Sequence, residues 1–243
     1  MSGGLGYYAL RDALLEPGCA VCRLKATAMA RYLDSLLWEN VNDPGIRRKI
    51  RQAQGFCQVH AWELVHRGAS LAAALLMRDV LQNALKIVKE GCPRTLLDKP
   101  LRQTARELFY RQRHTLSDEL VARLAPKARC PVCAQGEEME RIYLDTLVSQ
   151  LLGKDGLLSA YETSDGLCLP HFLQALERVH EKEVLDALVK AQHQIWERLV
   201  EQLNEYIRKS DYRFCNEPWG DESDAWLRAI AAVAGARQES GQQ

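Results

Sequence analysis

Gly55-Phe56-Cys57-Gln58-Val59-His60 returns as Gly166-Leu167-Cys168-Leu169-Pro170-His171, and a Cys-x-x-Cys precedes each copy: Cys19 with Cys22, then Cys130 with Cys133. Every ligand-type residue of the second set lies 111 positions after its counterpart (19 to 130, 22 to 133, 57 to 168, 60 to 171). The chain holds 8 cysteines and 6 histidines in 243 residues, so four matches at one offset mark an internal duplication. Two soft donors separated by two residues can reach one metal ion from a single turn or helix start. The pattern therefore predicts two metal sites, each of three thiolates and one imidazole.

Working outward, the same offset pairs Tyr32-Leu33-Asp34 with Tyr143-Leu144-Asp145, Leu36 with Leu147, and Val21 with Val132. Apolar residues recur near every 3.6 positions and almost never alternate, so the expected fold is all-α. Each half reads as a short helix, a CxxC loop, a helix, a variable linker, Gly-x-Cys-x-x-His and a long helix. Trp62, Val65, Leu76, Val80 and Ile87 would form one stripe on the helix after His60. Leu188, Ile195, Leu199, Leu203 and Tyr206 would form another on the last long helix. Asp43-Pro44 is a helix start with proline in the first turn, and Gly153-Lys154-Asp155-Gly156 a looser turn at the matching place. Gly91 and Pro93 supply a stop.

These signals divide the chain into a first repeat at 1–92, a connector at 93–111, a second repeat at 112–209 and a C-terminal segment at 210–243. The two helical halves are expected to be pseudo-symmetric. The last segment has no counterpart in the first half and carries an amphipathic helix with Trp226, Leu227, Ile230 and Val233, ending near Gly235. It reads as a clasp docked by its aromatic residues.

Cys57 with His60, and Cys168 with His171, sit where a helix should begin, about one turn apart on one face. The helix dipole and free N–H groups there favour thiolates. Gly55 and Gly166, each two residues ahead, allow a sharp turn, and Pro170 suits a first helical turn. A Cys3His set closes a tetrahedral Zn2+ site with no open position. Each half holds a complete set, so each site is expected within its own half: Cys19, Cys22, Cys57 and His60 in one, Cys130, Cys133, Cys168 and His171 in the other. An iron–sulfur cluster on the same residues stays open as an alternative cofactor. A thiol oxidoreductase using the CxxC pairs is a third reading, although no βαβ context for it is visible.

Outside the repeat, Cys92 and Cys215 read as ordinary thiols, and His66, His114, His180 and His193 as solvated or core histidines. Glu137, Glu138 and Glu140 follow the second CxxC but match Ala26, Thr27 and Met29, and so read as surface decoration. The basic run Lys99, Arg102, Arg106, Arg111 and Arg113, with Glu107, reads as a solvated helix face. Thirty-two basic and thirty-two acidic residues cancel, which removes any global electrostatic case for a nucleic-acid partner. The opening MSGGLGYYALRDALLEPG lacks the basic-then-apolar pattern of a secretory signal. The apolar stretch around Leu71 to Met77 is far short of the ~20 residues a membrane span needs. The expectation is a cytoplasmic protein, in which CxxC pairs bind metal or react rather than form disulfides.

The stretch YLDSLLWENVNDPGIRRKIRQAQGFCQVHAW, the CxxC ahead of it and the terminal DYRFCNEPWGDESDAWLRAI resemble a bacterial family of unknown function. The resemblance spans nearly the whole chain. It implies a bacterial origin and a metal site common to the family, at Cys19, Cys22, Cys57, His60, Cys130, Cys133, Cys168 and His171, and it brings no activity. The second half reads GLCLPHF, which keeps the ligands. The functional expectation is a metal-stabilised binding or adaptor protein with an unidentified protein partner.

Overall fold

Helix α1 (Leu5–Leu14) leads into the CxxC at Cys19, and α2 (Ala20–Trp38) starts on the next residue. A computed structural model describes residues 5–91, 117–214 and 216–237, which are helical with no strand. After α2 come α3 (Pro44–Gln52), α4 (Gln58–His66) and α5 (Ser70–Gly91). Residues 117–124 are also helical. They are followed by α6 (Pro131–Ser149), α7 (Leu158–Thr163), α8 (Leu169–Leu176), α9 (Lys182–Lys209), a 3-10 turn at Tyr212–Phe214 and α10 (Ala225–Ala234). Cys92, Cys215, His114, the 93–111 connector and the basic run from Lys99 to Arg113 lie outside the described residues. Among the described residues no helix is long and apolar enough to cross a membrane.

Element bounds follow the 111-residue offset where the ligands are: α2 and α6 are both 19 residues long, and α4 and α8 both start one residue after a cysteine. The linkers differ, with nine residues in α3 against six in α7. Asp43 caps α3, its Oδ1 accepting from Ile46 N at 2.7 Å, and Pro44 opens the helix. Two expected long helices are interrupted. Gly68, at φ 65°, separates α4 from α5, and residues 177–181 separate α8 from α9. The stripe expected after His60 is therefore split. Trp62 and Val65, each 66% exposed, are not part of a buried face, whereas Leu76 is buried. On α9 the expected stripe holds, with Leu188 and Ile195 buried.

The chain forms two compact units, and they cut across the repeats. One comprises residues up to Met29 together with Gly136–Glu239; the other is Ala30–Gln135. The first unit buries Leu10, Leu144, Leu147, Leu167 and Leu188 in one cluster with Tyr161. Tyr161 donates its hydroxyl to Gln192 Oε1, which also accepts from Leu167 N at 3.0 Å. The Gln192 oxygen, accepting twice, ties α9 to the chain just ahead of Cys168, while among the described residues its buried Nε2 has no partner. In the second unit α3 packs on α5, and Asp79 accepts from Arg51 at 2.6 Å and Arg47 at 3.3 Å. Burial alone would raise the Asp79 pKa, but the two guanidiniums hold it below the usual carboxylate value.

The C-terminal clasp belongs to the first unit. Lys209 Nζ donates to Glu222 Oε1 at 2.6 Å, Arg228 donates to Gln202 at 2.7 Å, and Trp219 lies 5.1 Å from Tyr206, ring to ring. Helix α10 packs on α8 and α9, but not through its large side chains as the sequence suggests. Trp226, Leu227, Ile230 and Val233 are exposed, while Ala225 is fully buried. Small side chains let the helix approach closely, and polar contacts hold it.

Candidate metal centres

Eight donor atoms converge in two groups, each within 4.8 Å of one another: Cys19, Cys22, Cys168 and His171 in the first unit, and Cys57, His60, Cys130 and Cys133 in the second. All eight predicted residues are thus brought together, but not as expected. Each group takes its CxxC from one repeat and its CxxH from the other, which overturns the within-half assignment. Spacing within a motif fixes which two residues share a helix start, but not which second motif reaches them. That is settled by packing, and each compact unit brings together one CxxC and one CxxH.

In the first centre His171 Nδ1 lies 3.3 Å from Cys19 Sγ, 3.4 Å from Cys22 Sγ and 3.1 Å from Cys168 Sγ, and Cys22 Sγ is 3.7 Å from Cys168 Sγ. In the second, His60 Nδ1 lies 3.1, 3.6 and 3.3 Å from Cys57, Cys130 and Cys133, and Cys57 Sγ is 3.7 Å from Cys133 Sγ. All four ligand pairs occupy helix N-termini. Cys57 and Cys168 are N-cap residues with extended backbone, and their thiols make no cap hydrogen bond, so the sulfurs point elsewhere. The Cys19 and Cys130 carbonyls accept the first helical hydrogen bonds of α2 and α6, from Arg23 N and Ala134 N. The positive end of each helix faces the sulfurs. Gly55 at φ 102° and Gly166 at φ 69° turn the chain into these helices as expected. At Gly166 a Cβ would also lie 2.9 Å from the Gln192 amide.

So many donors this close cannot all ionise without a cation. Hydrogen bonding with Cys168 and with each other drives Cys22 far below, and Cys19 far above, the usual thiol pKa. Cys133 is pushed up to about 12, first by burial and then by the charge of Cys130. A dication would displace the shared protons and relieve that crowding. Three thiols and an imidazole that fill four corners with protein atoms are a donor set that could hold a metal ion.

The centres differ in their surroundings. In the first, His171 Nε2 lies 3.1 Å from Glu140 Oε1, which also accepts from Gln174 Nε2 at 2.5 Å, while Glu140 Oε2 pairs with Lys25. Burial would raise Glu140, but His171, Lys25 and Gln174 hold it down to about 2. Gly235 packs on the sulfurs: a Cβ there would lie 3.6 Å from Cys22 Sγ. Ala236 N donates to Cys22 Sγ at 3.4 Å. Cys19 and Cys168 border a cavity of about 200 Å³, yet are only 8% and 1% exposed. In the second centre His60 is buried, while Cys57 and Cys133 are half-buried. Among the described residues none hydrogen-bonds His60 Nε2.

Glu140 is what the sequence reading missed. It matches Met29 in the first repeat, and that mismatch, read as decoration, was the available signal. Glu138 fits the decoration reading, pairing with Arg141 on the surface. His180 and His193 are exposed as expected, His193 beside Glu197.

The profile of a family of unknown function (DUF6062) matches residues 8–240. An uncharacterised 23.9 kDa protein in the xynA 3' region of Caldicellulosiruptor sp. (strain Rt8B.4) is 26% identical over 223 residues, covering 91% of this chain and 97% of that protein. No solved structure matches the chain significantly.

Proposed function

The chain belongs to this family of unknown function (DUF6062), and from its own geometry we propose that each Cys3His group binds one Zn2+ in a structural role, in a protein that acts as a binding module or adaptor. The observation that carries this reading is the mutual proximity of four donor atoms, all within 4.8 Å of one another, in each group. A tetrahedral ion with ~2.3 Å bonds to sulfur has sulfur–sulfur edges of ~3.8 Å, and Cys22 lies 3.7 Å from Cys168, as Cys57 does from Cys133, sulfur to sulfur. An iron–sulfur cluster spreads its thiolates over several irons and needs a wider ring of donors.

Zinc bound here supplies charge neutralisation and a fixed geometry, with no position left for substrate. Cys19 and Cys22 would tie the start of α2 to the start of α8 through Cys168 and His171. Cys130 and Cys133 would tie the start of α6 to α4 through Cys57 and His60. Supporting the binding role, α4 and α5 expose Trp62, Val65, Leu71, Leu81 and Leu85, large apolar side chains of the type that anchors partners. The test is metal analysis and an absorption spectrum of protein purified without oxygen. Colourless protein with two zinc ions per chain is the expected result. Brown protein with iron and sulfide, or metal-free protein with freely reactive CxxC thiols, would each replace this reading.

A further inference from the structure

Resting on the zinc reading above, we propose that the two centres are functionally unequal: the centre of Cys19, Cys22, Cys168 and His171 is a permanent lock, and that of Cys57, His60, Cys130 and Cys133 is the exchangeable one, where the chain takes up a zinc ion from, and yields it to, small chelating ligands.

Three observations point the same way. The lock has a buried carboxylate behind its histidine. Glu140 accepts from His171 Nε2, which leaves Nδ1 turned to the sulfurs, and Glu140 is itself fixed by Lys25 and Gln174. Such a partner orients the imidazole and raises its basicity toward the ion. In the exchangeable centre no described residue bonds His60 Nε2, and the position matching Glu140 is Met29, a thioether that accepts only weakly. Next, the lock is covered from outside: Gly235 lies on Cys22 and Cys168, and Ala236 N donates to Cys22 Sγ. The glycine and the N–H together occupy the outer side of the Cys22 sulfur, from which a chelator would approach. The third observation is burial. Cys19, Cys168 and His171 are buried, and the half-buried Cys22 is the sulfur covered by Gly235 and Ala236, whereas Cys57 and Cys133 are both half-buried. An incoming ligand displaces protein donors one at a time, so half-buried thiolates beside a histidine that no described residue supports are where exchange begins. Glu140 acts through His171 and is a positioning residue.

The experiment uses the full chain loaded with two zinc ions. Release to excess 4-(2-pyridylazo)resorcinol is followed by absorbance, and the ions remaining are counted by native mass spectrometry. The expected result is two phases of one ion each, at least ~10-fold apart in rate, because losing an outer partner costs ~10–100-fold in metal affinity. Cys57→Ser should abolish the fast phase and Cys168→Ser the slow one. Glu140→Gln, which keeps an acceptor but loses the charge, should speed only the slow phase, and Glu140→Ala should speed it further. A merely destabilising change would speed both phases together. Simultaneous release of both ions at one rate, or loss of the slow phase in Cys57→Ser, overturns the inequality while leaving the zinc reading intact. Protein that holds no zinc after purification and reconstitution sinks both, and the mass spectrum shows this before any chelator is added.

Discussion

Gly166 marks how closely single residues are held at the first centre. Its backbone is at φ 69°, and a Cβ would meet both the Gln192 amide at 2.9 Å and Ile195 Cδ1 at 3.0 Å. Gly68 has a similar φ of 65° but nothing within 4 Å of such a Cβ. Gly68→Ala should therefore cost only the left-handed strain, about 1–2 kcal/mol, and Gly166→Ala roughly 2–4 kcal/mol once overpacking is added. Chemical denaturation of the two variants checks the order, and equal costs would show that Gln192 gives way freely. The positive φ at Gly166 was legible from its place two residues before a ligand at a helix start. The clash was not, because Gln192 is 26 positions further along the chain and reaches Gly166 only through tertiary packing.

Among the elements, the clasp is tied down by charge more than by apolar packing, and that makes it acid-sensitive. Hydrogen bonds from Lys209 and then from Gly220 N hold Glu222 down to about 2, whereas a glutamate in an unfolded chain titrates near ~4.3. A carboxyl depressed by folding stabilises the fold fully above the unfolded value. That contribution fades as pH falls from ~4.3 through about 2. The melting-temperature gap between the wild-type chain and Glu222→Gln should thus be constant above about pH 5 and close toward about pH 2. Comparing the two proteins cancels metal loss common to both, and a gap that persists in acid would remove Glu222 from the account. On α3, Asp43→Ala removes the bond to Ile46 N and should cost about 1 kcal/mol by thermal melting. Asp43-Pro44 announced that helix, because a cap is a local matter. The breaks at Gly68 and at residues 177–181 were hidden, since apolar spacing ran on across them.

For the whole molecule, the crosswise pairing of ligands has a direct consequence. Cys19→Ser and Cys168→Ser should each remove the same single ion, and the double variant no more than one; Cys19→Ser with Cys57→Ser should remove both. Native mass spectrometry counts the ions, and loss of two in Cys19→Ser with Cys168→Ser would restore the within-half assignment. Removing both ions should abolish cooperative melting, because binding at a closed zinc site contributes on the order of 10 kcal/mol to folding. Circular dichroism before and after chelation reads this directly. The eight donor residues, their helix-start positions and the all-helical class were determined by sequence alone, because ligand spacing, capping and the 3.6-residue period act over a few neighbouring positions. Which CxxC meets which CxxH, and that Glu140 stands behind His171 while no described residue hydrogen-bonds His60 Nε2, were decided by the tertiary structure. The reason is physical: ligand spacing and helix starts are set by neighbouring residues, whereas the choice of which CxxC meets which CxxH is set by how distant helices pack into the two compact units.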